Sequence, residues 1–240
     1  MAKVELKGLS RHFDSASGLV KAITNLNLSI EEGEFLCIVG PSGCGKSTLL
    51  NLIAGFEHPD CGEVLVDGCK VQIPGPDRFV IFQEPALFPW LNVRDNVAFG
   101  LMLSGIPVEQ KKKRVNELLK MVHLPDFADS WIHELSGGMK QRVALARALA
   151  MDPDILLMDE PFAALDAQTR DMLHEEMERI WQQTGKTVIF VTHNVREAVR
   201  LGTRVILMTP AGEGISREYP VNLPRNRFLE DIGVAQLASV

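Results

Sequence analysis

The stretch Gly40-Pro41-Ser42-Gly43-Cys44-Gly45-Lys46-Ser47-Thr48 constrains this chain more than any other part of it. Gly40, Gly45, Lys46 and Ser47 satisfy every fixed position of the phosphate-loop spacing G-x-x-x-x-G-K-[ST]. The chemistry needs these residue types. Glycines at 43 and 45 let the backbone turn tightly enough for consecutive N–H groups to point inward as a nest for phosphate oxygens. A helix beginning near Gly45 aims its positive end at the same anion. Lys46 supplies a point charge for outer phosphates, and the Ser47 hydroxyl can ligate Mg²⁺. The flanks agree: Phe35-Leu36-Cys37-Ile38-Val39 is an apolar run of buried-strand length, and Leu49, Leu50, Leu52 and Ile53 form a helical stripe.

Elsewhere the pattern is strand and helix in alternation, which predicts a parallel α/β sheet covered on both faces. Val4, Leu6 and Leu9 mark a first strand, a second spans roughly 20–30, and Ser15-Ala16-Ser17-Gly18 reads as the turn between them. Phe13, just before that turn, can stack on a base or fill a core. Glu63–Val66 with Asp67-Gly68 predicts a strand and hairpin turn, and 71–78 a loop. Phe79–Phe82 is a short strand closed by Gln83, a polar residue at a strand end where α/β sheets bind ligands. Helices are expected over 92–103 and 108–123. Ser136 is a plausible N-cap for a helix to Ala150, and Gly137-Gly138 directly after it suggests close approach by an anion or another backbone. Ile155–Met158 is a buried strand ending in Asp159-Glu160, two carboxylates that burial disfavours unless paired or near metal. Alternation sends their side chains to opposite faces. Ala164-Leu165-Asp166 opens a helix to about Gln183. Thr187–Thr192 is another buried strand with His193 at its end, and final strands are expected over 205–209 and 214–219.

The formal charge of −6 over 240 residues argues against nucleic acid as the main partner. No charged-then-apolar leader is present, and no apolar run approaches the roughly 18 residues that cross a bilayer. A cytoplasmic protein is expected, reaching any membrane through a partner. Cys37, Cys44, Cys61 and Cys69 make no metal-binding spacing. Cys44 lies among N–H groups and Lys46, a setting that favours thiolate chemistry.

Taken together, these segments resemble the ATP-binding subunit of an ABC transporter over about residues 4–209. Gly40–Thr48 is similar to Walker A, Gln83 to the Q-loop, Leu135–Gly138 to the ABC signature, Ile155–Glu160 to Walker B, Ala164–Asp166 to the D-loop, and His193 to the switch histidine. Three departures stand out: Phe13 where tyrosine is frequent, Met139 after the signature where glutamine is common, and Asn194 after the histidine where aspartate is common. Residues 82–91 and 135–142 look most like the branch importing nitrate, taurine, alkanesulfonates or bicarbonate.

The resemblance implies an α/β fold: a P-loop NTPase core with a mostly parallel sheet, an N-terminal antiparallel β portion and an inserted helical subdomain. The chain would be one domain, with 1–83 and 141–222 as core, 84–140 as helical subdomain and 223–240 as C-terminal tail. ATP and Mg²⁺ would be bound. Phe13, residues 40–48 and Asp166 would contact nucleotide, as would Ser136, Gly137 and Gly138 of a second subunit. Ser47, Gln83 and Asp159 would hold Mg²⁺. Glu160, His193 and Gln83 would serve hydrolysis. The implied partners are a second ATP-binding subunit, identical or related, a membrane permease and, indirectly, an extracytoplasmic solute-binding protein. A soluble ABC protein acting on nucleic acid or ribosomes, and a low-turnover nucleotide sensor, are the rival expectations. The first usually carries two cassettes or a coiled-coil insertion, and Glu160 with His193 argues against the second.

Overall fold

The computed structural model describes residues 2–15, 18–103, 105–209, 214–225, 227, 234 and 238. Among them the chain forms β1 (Ala2–Ser15), β2 (Gly18–Glu31), β3 (Phe35–Val39), α1 (Lys46–Ala54), β4 (Cys61–Val66), β5 (Cys69–Lys70), β6 (Arg78–Ile81), α2 (Val93–Ala98), α3 (Val108–Met121), α4 (Gly137–Ala150), β7 (Ile155–Asp159), α5 (Ala167–Thr184), β8 (Thr187–Thr192), α6 (Val195–Leu201), β9 (Arg204–Met208) and β10 (Ile215–Pro220). Two sheets result. One is antiparallel, in the order β2-β1-β4-β5; the other runs β10-β9-β3-β8-β7-β6. In the second, β9, β3, β8, β7 and β6 pair in parallel and only β10 is antiparallel.

Side-chain alternation explains how this sheet builds two cores. Leu36 and Ile38 of β3, Leu157 of β7 and Ile189 and Val191 of β8 pack with Leu49, Leu50, Leu52 and Ile53 of α1 and with the antiparallel sheet. Phe35, Cys37, Val39, Leu156, Met158, Val188 and Phe190 point the other way, onto α4, α5 and α6. Every residue of β3 and β8 is buried. That is why those strands read as continuous apolar runs rather than alternating ones. The phosphate loop leaves the end of β3, between neighbours β8 and β9, so it emerges at the middle of the sheet.

Several local expectations shift for identifiable reasons. Asp67 and Gly68 both take positive φ, 48° and 72°, giving the two-residue hairpin expected between β4 and β5. Arg78, expected in a loop, opens β6. The helix expected over 92–103 stops at Ala98 and continues as a tight 3-10 turn, Gly100–Leu103. Met151 packs where a Cβ of Gly100 would sit. α5 begins at Ala167 because the Asp166 carboxylate accepts the Thr169 N–H at 3.0 Å. α6, which the sequence pattern did not suggest, is capped by Asn194 accepting from Arg196 and Glu197. The turn residues Ala16 and Ser17 and most of the 223–240 tail lie outside the described residues. Where the tail is described, Arg225 donates to the Leu201 carbonyl at 3.0 Å. Arg227 donates to those of Val199 and Gly202 at 2.8 and 3.0 Å. Two cations thus cover the electron-rich end of α6.

Candidate nucleotide site

The phosphate loop adopts the turn its glycines permit. Gly43 and Gly45 have φ of 80° and 100°, a region L side chains rarely occupy. Gly45 caps α1 without a side-chain hydrogen bond, so the N–H groups of the first turn stay available to a ligand. Its missing Cβ also makes room for β2: a methyl there would lie 2.4 Å from the Ala22 carbonyl oxygen. Gly45→Ala is therefore expected to destabilise the chain by about 1–3 kcal/mol, read as a lower urea midpoint at unchanged slope. A wild-type midpoint would show that the loop can relax around a methyl.

Lys46 is buried and its ammonium donates to the Gly40 and Pro41 carbonyls at 2.8 and 2.9 Å, closing the loop on itself. Cys44 is buried as well. Its N–H donates to the Pro41 carbonyl at 3.3 Å, and its sulfur lies against Gly40 and the core rather than the open side. Pro41, Ser42 and Gly43 are exposed. A cleft of about 370 Å³ opens here, lined by Phe13, Val20, Ala22, Ser42, Gly43, Gly45, Lys46, Ser47, Thr48 and Glu160. Phe13 thus faces the loop, with the Arg11 guanidinium 4.6 Å from its ring centre.

The two carboxylates at the end of β7 diverge, by a route alternation does not describe. Asp159 is the last strand residue, and its carboxylate lies beside the Ser47 hydroxyl. Burial pushes its carboxyl above the usual range, Glu160 adds to this, and the Ser47 hydroxyl and Lys46 oppose it. Glu160 takes a left-handed φ of 44° while its N–H bonds the Val191 carbonyl at 3.0 Å. A non-glycine residue pays strain in that conformation. The result aims its side chain across to β8, where Glu160 Oε2 lies 2.8 Å from His193 Nδ1. Four strand-end features therefore converge on one edge of the sheet: the phosphate loop, Asp159, Glu160 and His193.

A sequence-family model for ABC transporters matches residues 23–163, from β2 through the end of β7. The chain belongs to the ABC transporter family. It is 50% identical over 225 residues to an uncharacterized ABC transporter ATP-binding protein, MJ0412, of Methanocaldococcus jannaschii, covering 94% of this chain and 84% of that one. It is 47% identical over 220 residues to the taurine import ATP-binding protein TauB of Roseobacter denitrificans, covering 91% and 82%. It is 48% identical over 221 residues to the nitrate import ATP-binding protein NrtD of Synechocystis sp., covering 92% and 83%. Among solved structures, the dimeric post-hydrolysis state of the ATP-binding cassette MJ0796 bound to ADP and Pi superposes with a TM-score of 0.81 at 36% identity. That match covers 92% of this chain and all of the other.

In this ABC cassette the segment Ser136-Gly137-Gly138 lies apart from the phosphate-loop cleft and lines none of it. Ser136 caps α4 by accepting the Met139 N–H at 3.3 Å. Gly138 is buried under α5, where a Cβ would meet the Thr169 methyl at 2.3 Å, while Gly137 stays exposed. Asp166 is exposed; the Thr169 backbone N–H and hydroxyl hold its carboxyl below the usual range. Gln83 is exposed just beyond β6.

Three residues with no assigned role in the sequence hold these parts together. Gln141, buried on α4, donates through Nε2 to the Gln83 carbonyl at 2.9 Å and to the Pro161 carbonyl at 2.5 Å. Arg147, two turns further on, donates to the Ala86 and Pro85 carbonyls at 2.9 and 3.0 Å. The helix that begins at the signature therefore grips the chain after Gln83 and the exit of β7. Asn96 is fully buried and exchanges hydrogen bonds with Phe88, accepting from its N–H at 2.8 Å and donating to its carbonyl at 3.1 Å. The sequence carries one signal for Gln141 and Asn96: each is a polar residue on the buried face of a helix, where it needs a partner.

Proposed function

We propose that this chain is the ATP-hydrolysing subunit of an importer for a small anion such as nitrate, a sulfonate or bicarbonate. ATP binding and hydrolysis are coupled to uptake through a separate membrane permease. The observation that carries the reading is the Glu160–His193 pair, 2.8 Å apart beside the phosphate loop. The solute class is supported by the taurine and nitrate importers to which the chain is similar.

In this reading residues 40–48 cradle the phosphates and Phe13 stacks on the base. Lys46 exchanges the Gly40 and Pro41 carbonyls for phosphate oxygens. The Ser47 hydroxyl beside the Asp159 carboxylate is an all-oxygen pair that suits Mg²⁺, with Gln83 completing the protein ligands. Among the described residues no cluster of three His, Cys, Asp or Glu groups could hold a metal alone. When bound, Mg²⁺ would neutralise charge developing on the phosphates. Glu160 polarises the attacking water, and His193 contacts the γ-phosphate while holding Glu160 in place. Phosphoryl transfer is mostly positioning and charge stabilisation, which these groups supply.

The cleft contains no signature residue, and in this reading a second cassette brings Ser136, Gly137 and Gly138 to it. Two copies of this chain, or this chain with a related subunit, stack head to tail with ATP between them. A helix N-terminus capped by Ser136 suits the γ-phosphate. The chain acts as one cassette: 1–83 and 141–222 form the nucleotide-binding core, 84–140 the helical subdomain and 223–240 the tail. No described helix is long and apolar enough to cross a membrane. The cassette is held on the inner face of the cell membrane by the permease, to which a solute-binding protein delivers the anion.

Support for the permease contact comes from a second cleft, of about 440 Å³, walled by Phe56, Phe79, Phe82, Phe88, Phe99 and Arg147. Phe88 packs at a tilt against Phe99 and Trp90 with ring centres 4.4 and 5.4 Å away, and Trp90 is 69% exposed. Leu87, by contrast, packs against the core. A contiguous aromatic recess at the surface fits a short amphipathic helix of a partner. Phe88→Asp and Trp90→Asp are expected to abolish co-purification with the permease and solute uptake while leaving ATP binding by the isolated subunit intact. Normal co-purification and uptake by folded variants would place the contact elsewhere.

A further inference from the structure

Behind the Glu160–His193 pair lies a buried chain of polar groups that takes no direct part in hydrolysis. His174, on α5, is fully buried, and its Nε2 lies 2.6 Å from Glu197 Oε1 on α6. The Arg200 guanidinium donates to Nδ1 at 3.4 Å, which leaves Nε2 to carry the proton toward Glu197. Asp171 approaches Nδ1 at 3.8 Å and accepts from Arg200 at 3.0 Å. The other Glu197 oxygen accepts the Thr192 hydroxyl. That hydroxyl in turn accepts the Asn194 N–H at 3.0 Å. Both neighbours of His193 are therefore tied, through Glu197, to one imidazole.

The same imidazole reaches the other half of the pair. Phe162, two residues after Glu160, packs edge-on against the His174 ring, with centres 5.4 Å apart. Phe162 is buried and rests on Phe190 of β8. His174 thus touches the segment bearing Glu160 directly, at Phe162, and reaches the turn bearing His193 through Glu197. A helix pair such as α5 and α6 can be packed with apolar residues at least as stably as with a buried polar network that includes a charged group. What a satisfied buried network adds is a single defined geometry. That matters here because the two reacting groups sit on separate strand ends, and misplacement by about 1 Å can lower a rate on the order of 100-fold.

We propose that His174 is a positioning residue: with Glu197 it orients the Thr192–Asn194 turn that bears His193, and through Phe162 it supports the segment that bears Glu160. The inference rests on reading the chain as an ATPase in which Glu160 and His193 act at the γ-phosphate. The test compares full-length wild type with Glu160→Gln, His174→Ala, His174→Gln and Thr192→Val for ATP turnover, ATP affinity and Tm. His174→Ala and Thr192→Val are expected to lower kcat about 10-fold, a fraction of the full misplacement effect, with ATP affinity unchanged. His174→Gln, whose amide N–H can still reach Glu197, should restore most of kcat. Thr192→Val removes only a hydroxyl and carries the test should His174→Ala fail to fold. Wild-type kcat in folded His174→Ala and Thr192→Val would overturn the proposal. So would equal losses in His174→Ala and His174→Gln that follow Tm, since the pair would then be a stability clasp. Wild-type turnover that is indifferent to Glu160→Gln would instead overturn the underlying ATPase reading, and this inference with it.

Discussion

Glu160→Gln is expected to bind ATP as tightly as wild type and to hydrolyse it at least about 100-fold more slowly, the scale of a lost general base. The amide keeps the shape of the side chain and can still meet His193, but it can no longer draw a proton from water. The fold should be indifferent to the change. The strained feature at this position is the backbone φ of 44°, fixed by the Glu160 N–H bond to Val191, and neither involves the carboxylate. Phosphate release by the assembled transporter, measured beside nucleotide binding, reads both halves of the expectation. Turnover near wild type would remove Glu160 from the water-activating role and leave His193 without a partner in the chemistry.

Lys46→Ala should weaken ATP binding about 10- to 100-fold, because a charge-assisted contact of roughly 1.5–3 kcal/mol is lost, and should abolish hydrolysis. The geometry adds a second consequence. The ammonium also bonds the Gly40 and Pro41 carbonyls, so its removal loosens the loop that shapes the phosphate nest. Calorimetry with ATP measures the affinity, and the melting temperature without nucleotide separates loss of contact from loss of loop order. Unchanged affinity would contradict the role of Gly40–Thr48 as the phosphate loop.

Other features bear on how a signal leaves the site. Gln141 and Arg147 let one helix, α4, hold both the chain after Gln83 and the exit of β7. The aromatic recess proposed above for the permease borders the same residues, since Arg147 lines it and approaches the Phe88 ring at 5.5 Å. A nucleotide-driven shift at the start of α4 therefore has a short physical route to the recess.

Much of the molecule is legible from residues close together in sequence, because the forces involved are local. Glycines at 43 and 45 permit a backbone conformation other residues resist. Asp166 and Ser136 cap helices whose N–H groups lie three residues away. The runs 35–39 and 187–192 are apolar at every position because both faces of their strands are covered. The family motifs are legible for the same reason: each is a short run of residues at a turn, a strand end or a helix start. The helix expected over 92–103 ends at Ala98 and gives way to a 3-10 turn over Gly100–Leu103, where Gly100 leaves room for the distant Met151 side chain. The left-handed turn at Glu160 had no signal in its residue type, since its conformation follows from a bond to Val191 on the next strand. Gln141 finds its partners 58 and 20 residues away, and His174 meets Glu197 across 23. Periodicity can mark such polar residues as buried, but their partners are chosen by which strand and helix ends the completed sheet brings together.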